Sequence, residues 1–360
     1  MVNKPVPANP RRVILVNPTK YLGNLLIAGG LMQAYAAHCR QQGIELLIVL
    51  DASFQELCQD SFPETQLVFF PRRAINNAGL WKKIALYRRT LKTLRGFKAN
   101  LAFNIEEDSA TSHLTRLSGA AFTLGCSPAR HRRGYDHVVP VQFERRPVGE
   151  EHRWYSFYEV FAALGMAQPP VSYLDLKLEE SPPLEEKLVR NGLAPDKALI
   201  ALHAGATKTY KRWPLEHMAA LAGKIHAAGM QPVLIGAGDS DARANQDIIA
   251  LLATRNIPAP VNLCNELSLA ELALFLRKCR AMVGNDSGPF HLGSALGIPG
   301  CVIWGPTNSA IWGPLGARSE MVTGSFACDP ACNKGHCLHD HRCLKETTPE
   351  MVFSRLSTIM

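Results

Sequence analysis

The chain has 360 residues, of which 47% are hydrophobic and 19% charged, and a formal net charge of +8. That length suits two domains of ordinary size, and that balance excludes a disordered or collagen-like chain. No apolar run reaches membrane-spanning length and the polar start "MVNKPVPANPRR" leads directly into a strand pattern, so neither a signal peptide nor a spanning helix is expected and a cytoplasmic location follows.

The first half alternates short β-rich runs with helical patterns. "RRVILVN" reads as a strand, and Leu25, Ala28, Met32, Tyr35 and Cys39 then recur at helical spacing. "IELLIVLD" closes a strand-helix-strand unit. "TQLVFFP", "NLAFNIE" and "AFTLGC" are further strand candidates, with the helical "WKKIALYRRTLKTLRGF" and "SATSHLTRLSG" between them. After a helical "EEHRWYSFYEVFAALG" comes a proline- and charge-rich passage, which places a linker at 179–196 between domains at 1–178 and 197–345. The second half repeats the rhythm with strands "ALIALHAG", "QPVLIGAG", "VNLC" and "AMVGN", and residues 346–360 form a C-terminal helix. Such alternation predicts two α/β domains, each a parallel, doubly wound sheet, facing one another across a cleft. Residues 1–178 carry 22 Lys and Arg against 14 Asp and Glu, whereas 179–360 carry 17 of each, so an anionic partner is expected on the first half.

Ligands of open α/β sheets bind at the carboxyl ends of strands, where "HAGATKTYKRW", "GAGDSD" and "GNDSGPFH" all fall. Asp286 and Ser287 lie near a helix N-cap that Pro289 follows. Two readings fit: a plain side-chain cap, or a phosphate receptor made of free amides and the positive helix end, with Gly288 leaving room. Ala206, Thr207 and Lys211 form a loop of small, hydroxyl and cationic residues suited to a diphosphate, without the spacing of a Walker loop. Ser240 and Asp241 suit a ribose hydroxyl or a helix cap, and His291 a phosphate oxygen or the core.

These segments resemble glycosyltransferase family 9, the ADP-heptose lipopolysaccharide heptosyltransferases. The likeness is carried by "HAGATKTYKRWPLEHMAALA", "VLIGAGDSDA" and "NELSLAELALFLRKCRAMVGNDSGPFHLGSALGIPGCVIWGPTNSAIWGP", dense from 198 to 316, and more loosely by "LGNLLIAGGLMQAYA" and "LTRLSGAAFTLG". It implies a GT-B fold of two Rossmann-like domains, an ADP-sugar donor in the second, and a phosphorylated lipopolysaccharide core acceptor in the first, met at the inner membrane face. It further implies metal-independent transfer with inversion. By that resemblance Ala206, Thr207 and Lys211 hold the donor phosphates, opposite Asp286, Ser287, Gly288 and His291.

One position departs from the pattern. The family's acceptor base is an Asp in the N-terminal loop, where this chain has Asn24, and an amide cannot take a proton at ordinary pH. Glu106, Glu107 and Asp108, at the carboxyl end of "NLAFNI", are candidates to replace it, and sugar-nucleotide binding without turnover is the alternative. An epimerase on the same architecture is a further reading, and no nucleic-acid-binding motif accompanies the basic charge. In the tail, Cys328, Cys332, Cys337 and Cys343, with His336, His339 and His341 between them, allow a structural zinc or iron, free thiols or disulfides.

Overall fold

A computed structural model describes residues 3–106, 108–126, 134–141, 152–194, 196–326 and 337–360. The chain divides into two compact units, Met1–Lys177 and Leu178–Met360.

The first unit runs β1 (Arg12–Val16), α1 (Leu22–Gln41), β2 (Glu45–Asp51), α2 (Gln55–Cys58), β3 (Gln66–Phe70), α3 (Arg72–Asn76), α4 (Leu80–Gly96), β4 (Leu101–Asn104), α5 (Ser109–Leu117), β5 (Phe122–Cys126), β6 (His137–Val139) and α6 (Arg153–Ala162). Its strands pair in parallel in the order β3-β2-β1-β4-β5-β6. The chain winds outward from β1 to β3 and then returns to place β4 on the other side of β1, so the loops after β1 and β4 diverge at a switch point. Strands covered on both faces need apolar residues in succession rather than alternation, and Val13 to Val16 are all fully buried. Ile14, Val16, Leu47 and Val49 pack on one side with Leu94 of α4 and Leu114 of α5. On the other, Phe103 meets Tyr35 of α1 and Phe161 of α6 at ring-centroid distances of 5.3 and 5.7 Å, edge-on in both cases. Gly30 of α1 lets the chain pass close by: a Cβ there would stand 2.5 Å from the Ser172 carbonyl oxygen.

The second unit runs α7 (Pro182–Arg190), β7 (Leu199–His203), α8 (Leu215–Ala227), β8 (Gln231–Leu234), α9 (Asp239–Ala253), β9 (Val261–Asn262), α10 (Leu269–Lys278), β10 (Ala281–Asn285), α11 (Gly288–Ala295), β11 (Gly300–Ile303), α12 (Ser309–Trp312), β12 (Ser319–Val322), α13 (Arg342–Lys345) and α14 (Pro349–Ile359). The parallel order β12-β11-β10-β7-β8-β9 repeats the winding of the first unit, with its switch point between β7 and β10. Ile200, Leu202, Val283, Cys301 and Ile303 of the strands share a core with Met218 and Leu221 of α8, Ile248 of α9, and Val352 and Leu356 of α14. A reciprocal Ser268/Glu271 capping box starts α10.

Three readings of the sequence change. The passage expected as a linker at 179–196 contains α7 and belongs to the second unit. Three strands were not legible: β6, β11 and β12. Asn24, expected in a loop, lies in the first turn of α1, which begins at Leu22, three residues before the helical spacing expected from Leu25. Among the described residues no helix is long and apolar enough to cross a membrane.

Candidate active site

Each switch point gathers one polar cluster. In the second unit, β7 ends at His203 beside Gly284 of β10. The next residue on β10, Asn285, is completely buried. Its amide nitrogen donates to the Ala204 and Gly205 carbonyls (2.8 and 3.2 Å), and its oxygen accepts from the Trp213 backbone N–H (3.0 Å). One side chain thereby pins both ends of the 204–213 loop, which supplies Ala206, Thr207 and Lys211.

Lys211 Nζ lies 2.6 Å from Asp286 Oδ2, and the Thr307 hydroxyl donates to the same oxygen at 2.7 Å. His291 Nε2 stands 4.0 Å from the other carboxylate oxygen. Ser287 occupies the N-cap position of α11, yet its side chain makes no capping hydrogen bond; its hydroxyl is 3.0 Å from His203 Nδ1. The plain-cap reading of Asp286 and Ser287 therefore gives way. Both side chains are committed sideways, to Lys211 and His203, and among the described residues the start of α11 lacks a side-chain cap bond from its N-cap residue.

His203 Nε2 is 3.4 Å from Asp241 Oδ2, which also accepts the Ala237 N–H at 3.1 Å. Burial alone would raise the Asp241 carboxyl, but the His203 hydrogen bond and charge, the Ala237 amide and the Arg212 guanidinium hold it below the usual carboxylate range. Arg212 joins the loop to α9, donating from Nη2 to the Ala206 carbonyl (3.1 Å) and the Ser240 hydroxyl (2.8 Å). Gly205 is required by this packing, since a Cβ there would lie 2.2 Å from Asp241 Oδ1. Gly205→Ala is expected to displace Asp241 from His203 and to destabilise the protein by about 1–3 kcal/mol, as overpacking does, read as a lowered unfolding midpoint.

Lys211, Asp286, Ser287, Gly288 and His291 thus come together. Ser240, Asp241 and Ala206 join them through Arg212 and His203, while Thr207 is exposed on the same loop. His203, Asn285 and Thr307 are members that sequence reading missed, although the first two sit inside the motifs "HAG" and "GND".

The first-unit cluster forms where β4 meets the start of α1. Asn24 Nδ2 donates to Glu106 Oε1 at 2.6 Å. Glu106 Oε2 is buried without a hydrogen-bond partner among the described residues. Burial pushes the Glu106 carboxyl above the usual glutamate range, while the Arg153 charge and the polar side chains of Thr19 and Asn24 pull the other way. Asp108 serves the scaffold instead: it caps α5 by accepting the Thr111 N–H at 2.8 Å and pairs with Arg72 Nη1 at 2.9 Å. Glu107 lies outside the described residues, as do Cys328, Cys332 and His336. Cys343 is buried in α13, and Cys337 Sγ accepts the His341 N–H at 3.3 Å.

Two units, each a doubly wound parallel sheet with a polar cluster at its switch point, define a two-domain Rossmann-type α/β protein, and the model of glycosyltransferase family 9 (heptosyltransferase) matches residues 87–341. Lipooligosaccharide heptosyltransferase 2 of Campylobacter jejuni is 28% identical over 223 residues, 61% of this chain and 67% of that enzyme. Among solved structures, the family 9 glycosyl transferase of Veillonella parvula aligns over 97% of both chains with a TM-score of 0.80 and 20% identity. E. coli ADP-heptose lps heptosyltransferase II aligns over 97% of this chain and 98% of that one, with a TM-score of 0.75 and 20% identity. The structural likeness establishes the GT-B fold. The chain belongs to glycosyltransferase family 9, the heptosyltransferase family, and is a glycosyltransferase.

Proposed function

We propose that the protein transfers a heptose from ADP-heptose to a lipopolysaccharide core acceptor with inversion, using Glu106 as the base that Asn24 cannot be. The observation that carries this reading is the Asn24–Glu106 contact: the position that lacks the family's carboxylate lies 2.6 Å from another one. Glu106 Oε2 has a lone pair unspent on the described residues, and its raised pKa makes it a stronger base than an exposed glutamate. Oε2 takes the proton of the acceptor hydroxyl, the hydroxyl oxygen bonds to the anomeric carbon, and the bond from that carbon to the diphosphate breaks with its electron pair leaving on ADP. Asn24 orients the carboxylate by holding Oε1.

On the donor side, Lys211 and the uncapped start of α11 stabilise the charge that grows on the departing diphosphate, with no metal called on. Asp286 fixes the Lys211 ammonium through their 2.6 Å contact. Asp241 and Ser240 suit the ribose hydroxyls, which accounts for an Asp kept ionised by His203. The name of the E. coli structural relative includes ADP-heptose, and the Campylobacter relative acts on lipooligosaccharide by its name, which supports this donor and acceptor class. A cytoplasmic enzyme of a Gram-negative cell, meeting its acceptor at the inner membrane, fits the same reading.

The test is to incubate the protein with ADP-heptose and truncated core acceptors in the presence of EDTA, following ADP release and acceptor mass together. One heptose gained per ADP released is expected. Conversion of the nucleotide sugar with no acceptor present would establish the epimerase instead.

A further inference from the structure

We infer that α4 and its N-terminal tip form a docking surface for an anionic lipid bilayer. Residues 71–100 contain nine Lys and Arg and no Asp or Glu, so this one segment holds the entire net charge of +8, the rest of the chain carrying a net −1. The structure shows where that charge goes. Leu86, Tyr87, Leu91 and Leu94 turn α4 onto the sheet of the first unit, and the opposite face of the helix is left to Lys82, Arg88, Arg89 and Lys92. Among the described residues none of these four cations pairs with a carboxylate, unlike Arg72, which Asp51 and Asp108 engage.

Charge alone would fit any polyanion. The tip decides between them, because α4 opens on Leu80 and Trp81, which are 68% and 81% exposed. Both side chains stand open among the described residues, and their neighbours Gly79 and Lys82 are exposed too. An apolar wedge bounded by cations is what an interfacial membrane contact requires: the apolar side chains enter the headgroup region while the basic face meets anionic phosphates. A phosphodiester duplex takes an apolar wedge only where its base steps unstack, a cost that the headgroup region does not impose. This surface bears on where a membrane-anchored acceptor would be met, but it stands on its own charge and exposure.

The experiment is co-sedimentation with vesicles of phosphatidylethanolamine and phosphatidylglycerol, free of any glycan, against vesicles of phosphatidylcholine. Binding to the anionic vesicles alone is expected, weakening steeply with salt. Leu80→Ser with Trp81→Ser should weaken it by about tenfold or more, and Arg88→Gln, Arg89→Gln and Lys92→Gln together by about a hundredfold, at about fivefold per cation. All five positions are exposed, so the variants keep the parent's unfolding midpoint and ADP affinity. No binding to anionic vesicles, binding unchanged in the Leu80/Trp81 variant, or duplex DNA competing at equal charge concentration would each overturn the inference.

Discussion

Glu106→Gln is expected to lower kcat by a factor of about 10²–10⁴, the usual contribution of a positioned general base, while raising stability wherever the glutamate is ionised. The second effect follows from linkage. A carboxyl whose folded pKa lies above its unfolded value favours the folded state while protonated, and that contribution is lost as pH rises through the folded pKa. Burial places Glu106 in this class, and the glutamine variant removes the cost that ionising the carboxyl adds as pH rises through its folded pKa. The substituted amide oxygen would still accept from Asn24, which keeps the local geometry. The same displacement sets the pH profile: kcat/KM should fall on the acid side at a pH above the value of an ordinary glutamate, about 4.3. Parallel loss of activity and of stability in Glu106→Gln, or an unchanged acid limb, would show that the residue is a structural acceptor rather than a base.

Lys211→Met should weaken ADP binding by about 10- to 150-fold, corresponding to the about 1.5–3 kcal/mol of a hydrogen bond to a charged group. The variant also strands Asp286, whose carboxylate is buried and whose Oδ2 keeps, among the described residues, the Thr307 hydroxyl alone as donor. Breaking a fully buried pair costs about 3–5 kcal/mol; Lys211 keeps a fifth of its exposure, so a smaller loss is expected here. Adding Asp286→Asn separates the two effects. The double variant should recover most of the unfolding midpoint and none of the affinity. Recovery of affinity along with stability would mean that Lys211 holds the loop and not the diphosphate.

How much of this was legible beforehand depended on the length scale of the signal. Apolar runs such as "VILV" and "LLIVL" announce strands buried on both faces, and their alternation with helical spacing gives the doubly wound sheet. The strands that escaped are short edge or near-edge elements: β6 has three residues, β11 follows directly on Pro299, and β12 has only one fully apolar inward position at Val322. The linker at 179–196 looked irregular because its prolines and charges crowd the sequence, yet proline is at home in the first turn of a helix and α7 uses it there.

The candidate site divides the same way. Lys211, Asp286 and Ser287 were visible as polar residues at strand ends. Their partners were not, because a pairing across 75 residues, as between Lys211 and Asp286, leaves no local trace. Asn285 and His203 read as strand-end residues until the structure shows them buried and tying loops together. Asn24 and Glu106 are 82 positions apart, so their contact was equally invisible in the sequence.

The most direct measurement is a calorimetric titration of ADP into the wild-type chain, Lys211→Met and Glu106→Gln. Single-site binding by the wild type and Glu106→Gln with equal affinity, and its loss in Lys211→Met, is the expected result. Absence of heat with the wild type, or an affinity that Lys211→Met leaves unchanged, would contradict a diphosphate held between Lys211 and the start of α11.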